Sequence, residues 1–254
     1  MSDHRSLAAK MRDGEHVVTA WSLLPYPIVS ELLGRNGYEA VTLDMQHGMH
    51  DIASIRNTVV SLALVGSHRI ARIPVGDFAS ASRLLDLGAE AIIAPMINSK
   101  ADAQAFADFM KYPPVGKRSW GPHRGATISG HDVGQYPALG DRDTLSLAMI
   151  ETPEALAALD DILSVPGLDG VFVGPADLSL TVAKGAGIDP TGKATMDAAA
   201  HIAARTRAAG KIAGVFCVSA DMVVETRAMG YQLAAHGVDT AMLSEAAAAM
   251  RSEV

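Results

Sequence analysis

Short apolar segments recur along the whole chain, and segments with helical periodicity separate them. The apolar segments are nearly continuous rather than alternating, which is typical of parallel strands that helices cover on the outside. The predicted strands are residues 17–23, 40–44, 70–73, 91–96, 145–151, 170–173, 213–218 and 231–235. The predicted helices are residues 28–33, 52–64, 80–87, 101–110, 153–163, 195–209, 220–229 and 240–250.

Strand and helix alternate eight times with short connections, and this order predicts an α/β protein folded as a single (β/α)₈ TIM barrel. A chain of 254 residues has the ordinary length of such a barrel, so we expect one domain over residues 1–254. An open, doubly wound sheet is the alternative fold. The longest irregular stretch, residues 112–143, is rich in Gly, Pro and His, and we expect a pocket wall or a subunit contact there.

Composition and charge argue against some partners and indicate a cellular location. A formal net charge of -7 and the absence of a basic run argue against a nucleic acid partner. The residues from Met1 to Arg5 lead into a mixed polar helix rather than an apolar signal core, and no segment has the length of a membrane span. The lone cysteine, Cys217, lies in an apolar run and can form no internal disulfide. We therefore expect a cytoplasmic protein.

Charged residues that could do chemistry lie where predicted strands end. Asp44 and His47 follow the second strand, Arg72 lies in the third, and Glu151 and Asp177 follow the fifth and sixth. In a (β/α)₈ barrel the carboxyl ends of the strands meet at one face, where the loops form the active site. The pattern therefore predicts an enzyme.

Glu151 and Asp177 end neighbouring strands, so their carboxylates could meet over the barrel mouth. Two oxygen ligands without a His or Cys partner favour Mg²⁺ or Mn²⁺ and leave positions for water and a chelating substrate. The alternative is that each carboxylate caps the helix that follows it. Because both acids lie at adjacent strand ends, we favour the metal site.

Asp44 and His47 are three residues apart, close enough for the carboxylate to orient the imidazole and raise its basicity. Such a pair is a common general acid or base because histidine titrates near neutral pH. The alternative is a turn aspartate beside a surface histidine. We expect the next pair, His50 and Asp51, to form a solvent-facing turn and a helix cap.

Arg72 lies in an otherwise apolar strand and must therefore find an anion. Its guanidinium suits a substrate carboxylate or an enolate oxygen, whereas a structural ion pair with a neighbouring strand is the competing interpretation. Gly174, Pro175 and Ala176 precede Asp177, and their small size would let backbone N–H groups reach a bound carboxylate. Trp21, at the end of the first strand, could line the same pocket or simply pack.

Other chemistries find little support. Arg118 and Arg124 could bind a second anionic group, although most loop arginines are solvated. The motifs of dinucleotide-binding folds, of ATP-binding P-loops and of serine hydrolases are absent. A Schiff-base mechanism needs a lysine in the pocket, and the lysines considered fall in predicted helices or loops. They are Lys100, Lys111, Lys117, Lys184, Lys193 and Lys211.

Several segments together resemble the HpcH/HpaI aldolases, which are metal-dependent class II pyruvate aldolases of the 4-hydroxy-2-oxoheptanedioate type. The most specific is Gly170-Val171-Phe172-Val173-Gly174-Pro175-Ala176-Asp177-Leu178-Ser179. The others are Leu43-Asp44-Met45-Gln46-His47, Arg72-Ile73-Pro74, residues 85–96, Tyr112-Pro113-Pro114-Val115-Gly116-Lys117-Arg118 and Ile150-Glu151-Thr152. The resemblance covers nearly the whole chain.

The resemblance implies reversible cleavage of a 4-hydroxy-2-oxo acid to pyruvate and an aldehyde. Glu151 and Asp177 would hold Mg²⁺, Mn²⁺ or Co²⁺, on which pyruvate chelates, and Arg72 would stabilise the enolate. His47 and Asp44 would govern the hydroxyl proton through a metal-bound water. Decarboxylation of oxaloacetate, cleavage of a malyl or citramalyl thioester, and a catalytically silent binding barrel are the alternatives.

The resemblance also implies an assembly. Members of this family form hexamers, arranged as trimers of dimers, in which the last helix is exchanged between subunits.

The present chain departs from a compared member of the family at Met149. This residue stands two positions before Glu151, where that member has Gln. A polar contact near the metal or the pyruvate would then be missing.

Overall fold

In the computed structural model, which describes residues 5–253, the strands pair in chain order and the last pairs with the first. All pairs are parallel, so the sheet closes into a barrel. The strands are β1 (Val17–Ser22), β2 (Ala40–Asp44), β3 (His68–Arg72), β4 (Ala91–Ala94), β5 (Leu145–Met149), β6 (Gly170–Val173), β7 (Ile212–Phe216) and β8 (Leu233–Val238). The (β/α)₈ prediction is confirmed, and the alternative of an open sheet is wrong. The predicted single domain also includes residues 1–4 and 254, which lie outside the described residues.

Helices connect the strands on the outside of the barrel. They are α1 (Leu7–Arg12), α2 (Pro27–Arg35), α3 (Ile52–Leu64), α4 (Phe78–Leu87), α5 (Lys100–Met110), α6 (His123–Ser129), α7 (Tyr136–Asp143), α8 (Pro153–Ala157), α9 (Leu159–Leu163), α10 (Pro175–Val182), α11 (Lys193–Ala208), α12 (Ala220–Met229) and α13 (Asp239–Ser252). Across residues 5–253, none of these helices is both long and apolar enough to cross a membrane.

Three differences from the predicted elements stand out. The stretch 112–143, expected to be irregular, contains α6 and α7. The predicted helix 153–163 is divided into α8 and α9 at Ala158, and α10 was not predicted. In each case the segments are short, so helical periodicity extends over two turns at most and is weak evidence in a sequence.

The barrel has two apolar layers because strand side chains alternate between its inside and its outside. Outward-facing residues such as Val41, Ala71 and Val171 pack against the helices. Inward-facing residues such as Ile70 and Phe172 fill the interior. All of these are fully buried, so the interior is a packed core whose upper layer forms the floor of the site.

Helix α1 closes the amino end of the barrel. Leu7, Ala8 and Met11 are fully buried and belong to the same apolar cluster as the interior strand residues. The hydroxyl of Ser6 caps the helix by accepting the N–H of Ala9. Helix α1 therefore covers the amino end of the barrel, and the carboxyl end is left accessible.

Candidate active site

A pocket of about 270 Å³ lies at the carboxyl end of the barrel. Its residues come from the ends of seven strands, all except β4, and from the loops that follow them. They are Trp21, Leu23, Asp44, His47, Arg72, Met149, Phe172, Gly174, Pro175, Ala176, Asp177, Phe216 and Val238. The polar residues lie over β2, β3 and β6, whereas β7, β8 and the end of β1 contribute Phe216, Val238 and Leu23. The pocket therefore has a polar side and an apolar side.

Arg72 and Asp44 form a two-pronged ion pair at the pocket floor. They occupy the same register position on β3 and β2, at the last residue of each strand. Arg72 Nε donates to Asp44 Oδ1 at 2.8 Å, and Arg72 Nη2 donates to Asp44 Oδ2 at 2.5 Å. The sequence left two interpretations of Arg72, an ion pair with a neighbouring strand and a position in the pocket. Both are correct.

The remaining contacts of the Asp44 carboxylate correct the expected pairing with His47. It accepts the indole N–H of Trp21 at 3.1 Å and the backbone N–H of Gln46 at 2.9 Å. His47 reaches this carboxylate only through its backbone N–H, at 3.4 Å. Burial alone would raise the pKa of Asp44, but the Arg72 guanidinium and these N–H groups outweigh it and hold the pKa below its ordinary value. Asp44 therefore orients Arg72 rather than the imidazole, and His47 is an exposed side chain at the mouth.

Trp21 supports the arginine from one side. The Arg72 guanidinium lies 4.9 Å from the centroid of the Trp21 ring, a cation–π distance. The indole in turn packs against Phe172 and Phe216, with ring centroids 5.9 and 5.4 Å away. Trp21 thus both packs against the aromatic floor of the pocket, formed by Phe172 and Phe216, and lines the pocket. Its ring also holds the Arg72 guanidinium in place by stacking.

Glu151 follows β5 and is almost completely buried, at 2% exposure. Its Oε1 accepts the backbone N–H of Met96 at 2.8 Å, whereas its Oε2 is buried without a hydrogen-bond partner. The next helix, α8, is capped by the Thr152 hydroxyl, which accepts the N–H of Ala155. Glu151 is therefore no helix cap, and the capping interpretation of this residue is wrong.

The pKa of Glu151 is raised mainly by its burial. Burial, together with the charge of Asp177, raises the pKa of Glu151 to about 7, against the lowering effects of the Met96 N–H and the Arg72 charge. Asp177 is exposed and lies in the first turn of α10, whose N-cap residue is Gly174. The capping interpretation is thus wrong for Asp177 as well.

Gly174 provides space beside the unpaired oxygen. A Cβ atom at this position would lie 2.8 Å from Glu151 Oε2 and 2.9 Å from Met149 Cε. Only glycine leaves that space open without moving the carboxylate. The first N–H groups of α10 have no partner within the helix, and they begin at Ala176 because Pro175 has none. Glu151 does not itself line the pocket, but its unpaired oxygen lies beside Gly174, at the start of the helix whose first turn carries Asp177.

These donors fit a divalent metal ion that takes two protein ligands. Carboxylate oxygens are what Mg²⁺ and Mn²⁺ prefer. The unpaired Glu151 Oε2 is a buried acceptor that a cation would satisfy. Within residues 5–253, no three His, Cys, Asp or Glu side chains come together as a larger metal-binding cluster. The other coordination positions would therefore belong to substrate and water.

Other residues singled out in the sequence lie outside this arrangement. His50, expected at the surface, is buried and contacts the hydroxyl of Ser22 through Nε2 at 3.0 Å. Asp51 caps α3, as predicted. Arg118 is buried, donates to Asp86 at 2.5 Å and stacks on Tyr112, so it is structural. The exposed Arg124 contacts only the carbonyl of Arg56, at 3.4 Å, among the side-chain hydrogen bonds of the described residues.

The stretch 112–143 does not line the mouth pocket. Its residues Gly125, Tyr136 and Asp143 instead line a groove of about 800 Å³ at the amino end of the barrel. None of the lysines in the described chain lines the mouth pocket, in agreement with the argument against a Schiff base. The sequence did not reveal the contact between Met96 and Glu151 or the apolar side of the pocket. Alternation along β6 and β7 could have placed Phe172 and Phe216 inside the barrel.

Comparison with known proteins identifies the class that this fold and site define. The family described as HpcH/HpaI aldolase/citrate lyase matches residues 18–246. The chain therefore belongs to this family, as its sequence motifs predicted, and the expectation of an aldolase-type lyase is confirmed at that level.

Individual relatives cover almost the full chain. A hydroxypyruvate/pyruvate aldolase from Rhizorhabdus wittichii is 40% identical over 235 residues, which are 92% of each chain. A 2-keto-3-deoxy-L-rhamnonate aldolase from Escherichia coli is 30% identical over 93% of this chain and 88% of the relative. The structure of an HpcH/HpaI aldolase from Desulfitobacterium hafniense superposes with a TM-score of 0.89 at 24% identity, covering 98% and 96% of the two chains. This last likeness concerns the fold.

Proposed function

We propose that the protein is a divalent-metal-dependent aldolase that reversibly cleaves 4-hydroxy-2-oxo acids to pyruvate and an aldehyde. The observation that carries the proposal is the unpaired, buried Glu151 Oε2, which lies beside Gly174 and within the influence of the Asp177 charge. The names of the two aldolase relatives support the same reaction class.

Glu151 and Asp177 would hold the cation, which supplies Lewis-acid chemistry at the keto oxygen of the 2-oxo acid when it is bound. The free N–H groups at the start of α10 would bind the carboxylate of the same substrate, because a helix N-terminus favours an anion. Gly174, Pro175 and Ala176 would leave room for that carboxylate.

Arg72 would stabilise the negative charge that develops on the keto oxygen as the carbon–carbon bond breaks. Two of its nitrogens are held by Asp44, and its guanidinium plane is fixed over Trp21. A donor held in this way needs no reorientation during the reaction, and this is the source of electrostatic catalysis. Asp44 is thus the positioning partner of the arginine.

His47 would take the proton from the 4-hydroxyl group and return it in the reverse reaction. Its side chain lines the pocket mouth, on the solvent side of the Arg72 and Asp44 pair. An imidazole can accept a proton on one ring nitrogen and give it back, so it can work in both directions. Phe172, Phe216 and Val238 would keep water from the opposite side of the pocket.

The direct test follows proton exchange and product formation with the purified protein. Incubation with pyruvate, Mn²⁺ and a panel of aldehydes should exchange protons at the pyruvate methyl group and form a 4-hydroxy-2-oxo acid. Asp177→Ala and an excess of chelator should each abolish both signals. Glu154→Gln, which removes an exposed acid from α8, is the matched control and should retain both.

Two other outcomes would change the assignment. Exchange without aldol product, combined with loss of CO₂ from oxaloacetate, would favour the decarboxylase. Full activity of Asp177→Ala in the presence of chelator would overturn the metal mechanism.

We also propose that the protein assembles as a hexamer, a trimer of dimers, through its last helix. In α13, Asp239 is buried, whereas most of the following side chains are exposed, including Leu243 and Met250. An alanine-rich helix with exposed apolar residues is suited to contact another subunit. Light scattering should show a hexamer that Leu243→Arg with Met250→Arg dissociates, whereas Val224→Arg, at an exposed apolar residue of α12, should not. A monomeric wild type would contradict the assembly.

We also propose that the protein is cytoplasmic, where the free thiol of Cys217 would remain reduced.

A further inference from the structure

Met96, in the loop after β4, has a backbone conformation that side chains disfavour. Its φ angle is +56°, in the left-handed region, where a Cβ atom approaches the carbonyl oxygen that follows it. Among the non-glycine residues that the structure describes, Lys184 is the other with a positive φ. Backbone strain of this kind persists only where the surroundings enforce it, and it is concentrated at functional sites.

The side chain of Met96 does not explain this conformation. It is 37% exposed and belongs to none of the apolar clusters in the described chain. The backbone does explain it, because the N–H of Met96 points at Glu151 Oε1 and donates to it at 2.8 Å. The other oxygen of that carboxylate, Oε2, has no partner.

The loop is tied to the same neighbour at a second point. Two residues beyond Met96, the Asn98 side-chain oxygen accepts the hydroxyl of Thr152 at 2.6 Å. Thr152 follows Glu151 directly and caps α8. The β4 loop is therefore joined to two successive residues of the β5 loop, Glu151 and Thr152, and the strained residue makes the first of these contacts itself.

We propose that Met96 is a positioning residue for the metal site: its left-handed backbone occupies one oxygen of Glu151 and so presents the other to the cation. This inference rests on the proposed function, since it requires that Glu151 binds a metal. It explains why a carboxylate with two oxygens is buried with one satisfied and one free. It also predicts that the backbone conformation, and not the methionine side chain, matters.

The test compares three substitutions by isothermal titration of the purified, metal-free protein with Mn²⁺ alone. Met96→Gly and Met96→Ala keep the N–H, and glycine adopts a positive φ at no cost, so both should bind within about twofold of wild type. Met96→Val should drive the loop out of the left-handed region, because β-branched residues avoid it. Glu151 would then lose the hydrogen bond from the Met96 N–H, and Mn²⁺ binding should weaken by roughly tenfold or more.

Lys184→Val is the matched control, because Lys184 has φ +51° in an exposed loop. It should lower the unfolding temperature of the metal-free protein as Met96→Val does, and leave Mn²⁺ binding unchanged. Equal Mn²⁺ affinities for wild type and Met96→Val would overturn the inference alone, as would loss of affinity in Met96→Ala. A wild-type protein that binds no Mn²⁺ would overturn the proposed function first.

Discussion

The last residue of β3, Arg72, and the last residue of β2, Asp44, are joined by two parallel hydrogen bonds of 2.8 and 2.5 Å. The parallel register places the two residues side by side, so the pair follows directly from how the strands align. Asp44 is fully buried and Arg72 nearly so. The pair therefore works as one unit, and each partner constrains the other.

Arg72→Ala should lower kcat by roughly a hundredfold, because the charge that faces the reacting oxygen is lost. It also leaves the buried Asp44 carboxylate without its partner, which costs about 3 kcal/mol of stability. Asp44→Asn should give a similar loss in kcat, and the double variant should be little worse than either single one. Steady-state kinetics and urea unfolding measure the two effects separately.

Arg69→Ala is the matched control for this experiment. Arg69 lies on the same strand at the amino end of the barrel and pairs with Glu90 at 3.0 Å. Its loss should reduce stability but leave kcat within about twofold, since this end has no part in the chemistry. Fully additive losses in the Asp44 and Arg72 double variant would show that the two residues act independently.

Glu151 should make the stability of the metal-free protein fall as the pH rises. Its pKa in the folded chain is about 7, against an ordinary value of 4.5. The folded state therefore holds a proton that the unfolded state releases, and this contribution is present below pH 4.5 and lost as the pH passes 7. Over that window it amounts to ~3 kcal/mol at most.

Urea unfolding between pH 4.5 and 8, with chelator present, measures this contribution. It is the difference in the free energy of unfolding between wild type and Glu151→Gln. The glutamine variant should lose less stability as the pH rises. Glu154→Gln, at an exposed position, should follow wild type. Parallel curves for wild type and Glu151→Gln would show that burial does not hold the proton on this carboxylate.

Gly174→Ala should weaken Mn²⁺ binding by roughly tenfold or more, because the new methyl group displaces a carboxylate that the metal needs. The added Cβ would lie 2.8 Å from Glu151 Oε2 and 2.9 Å from Met149 Cε. Adding Met149→Ala relieves the second contact only, so the double variant should bind Mn²⁺ as weakly as Gly174→Ala. Gly187→Ala, where no heavy atom lies within 4 Å of the new Cβ, should leave Mn²⁺ binding unchanged.

His50 should make the protein less stable in mild acid. Burial lowers its pKa against the opposing charges of Asp239, Asp44 and Asp51. The unfolded chain then takes up a proton first, so the contribution of this group is lost as the pH falls below its ordinary value of 6.5. His50→Gln can still donate to Ser22 and should flatten the unfolding free energy between pH 7 and 5, whereas the exposed His123→Gln should not. An unchanged slope in His50→Gln would refute this.

Much of the fold and part of the site could be predicted from the chain alone. Near-continuous apolar runs identify parallel strands, and polar residues at their carboxyl ends identify the catalytic face. Glu151 and Asp177, the metal ligands that we propose, were selected in this way because neighbouring strands bring their ends together. The same logic pairs Asp44 with Arg72, yet sequence proximity pointed instead to His47.

What the sequence could not supply depends on three-dimensional detail. The role of Met96 depends on a backbone angle that no residue type signals. His50 resembles a loop histidine until the packing of α13 and β1 encloses it. The helices α6 and α7 are too short, and too rich in Gly and His, to show a periodic apolar face.

Helix α1 has a consequence for traffic through the enzyme. Because Leu7 and Met11 pack against the filled interior at the amino end, the pocket formed by residues 5–253 over the barrel opens at the carboxyl face, where reactants would both enter and leave. Donor and acceptor therefore share one opening. The first to arrive would form part of the wall that the second one meets.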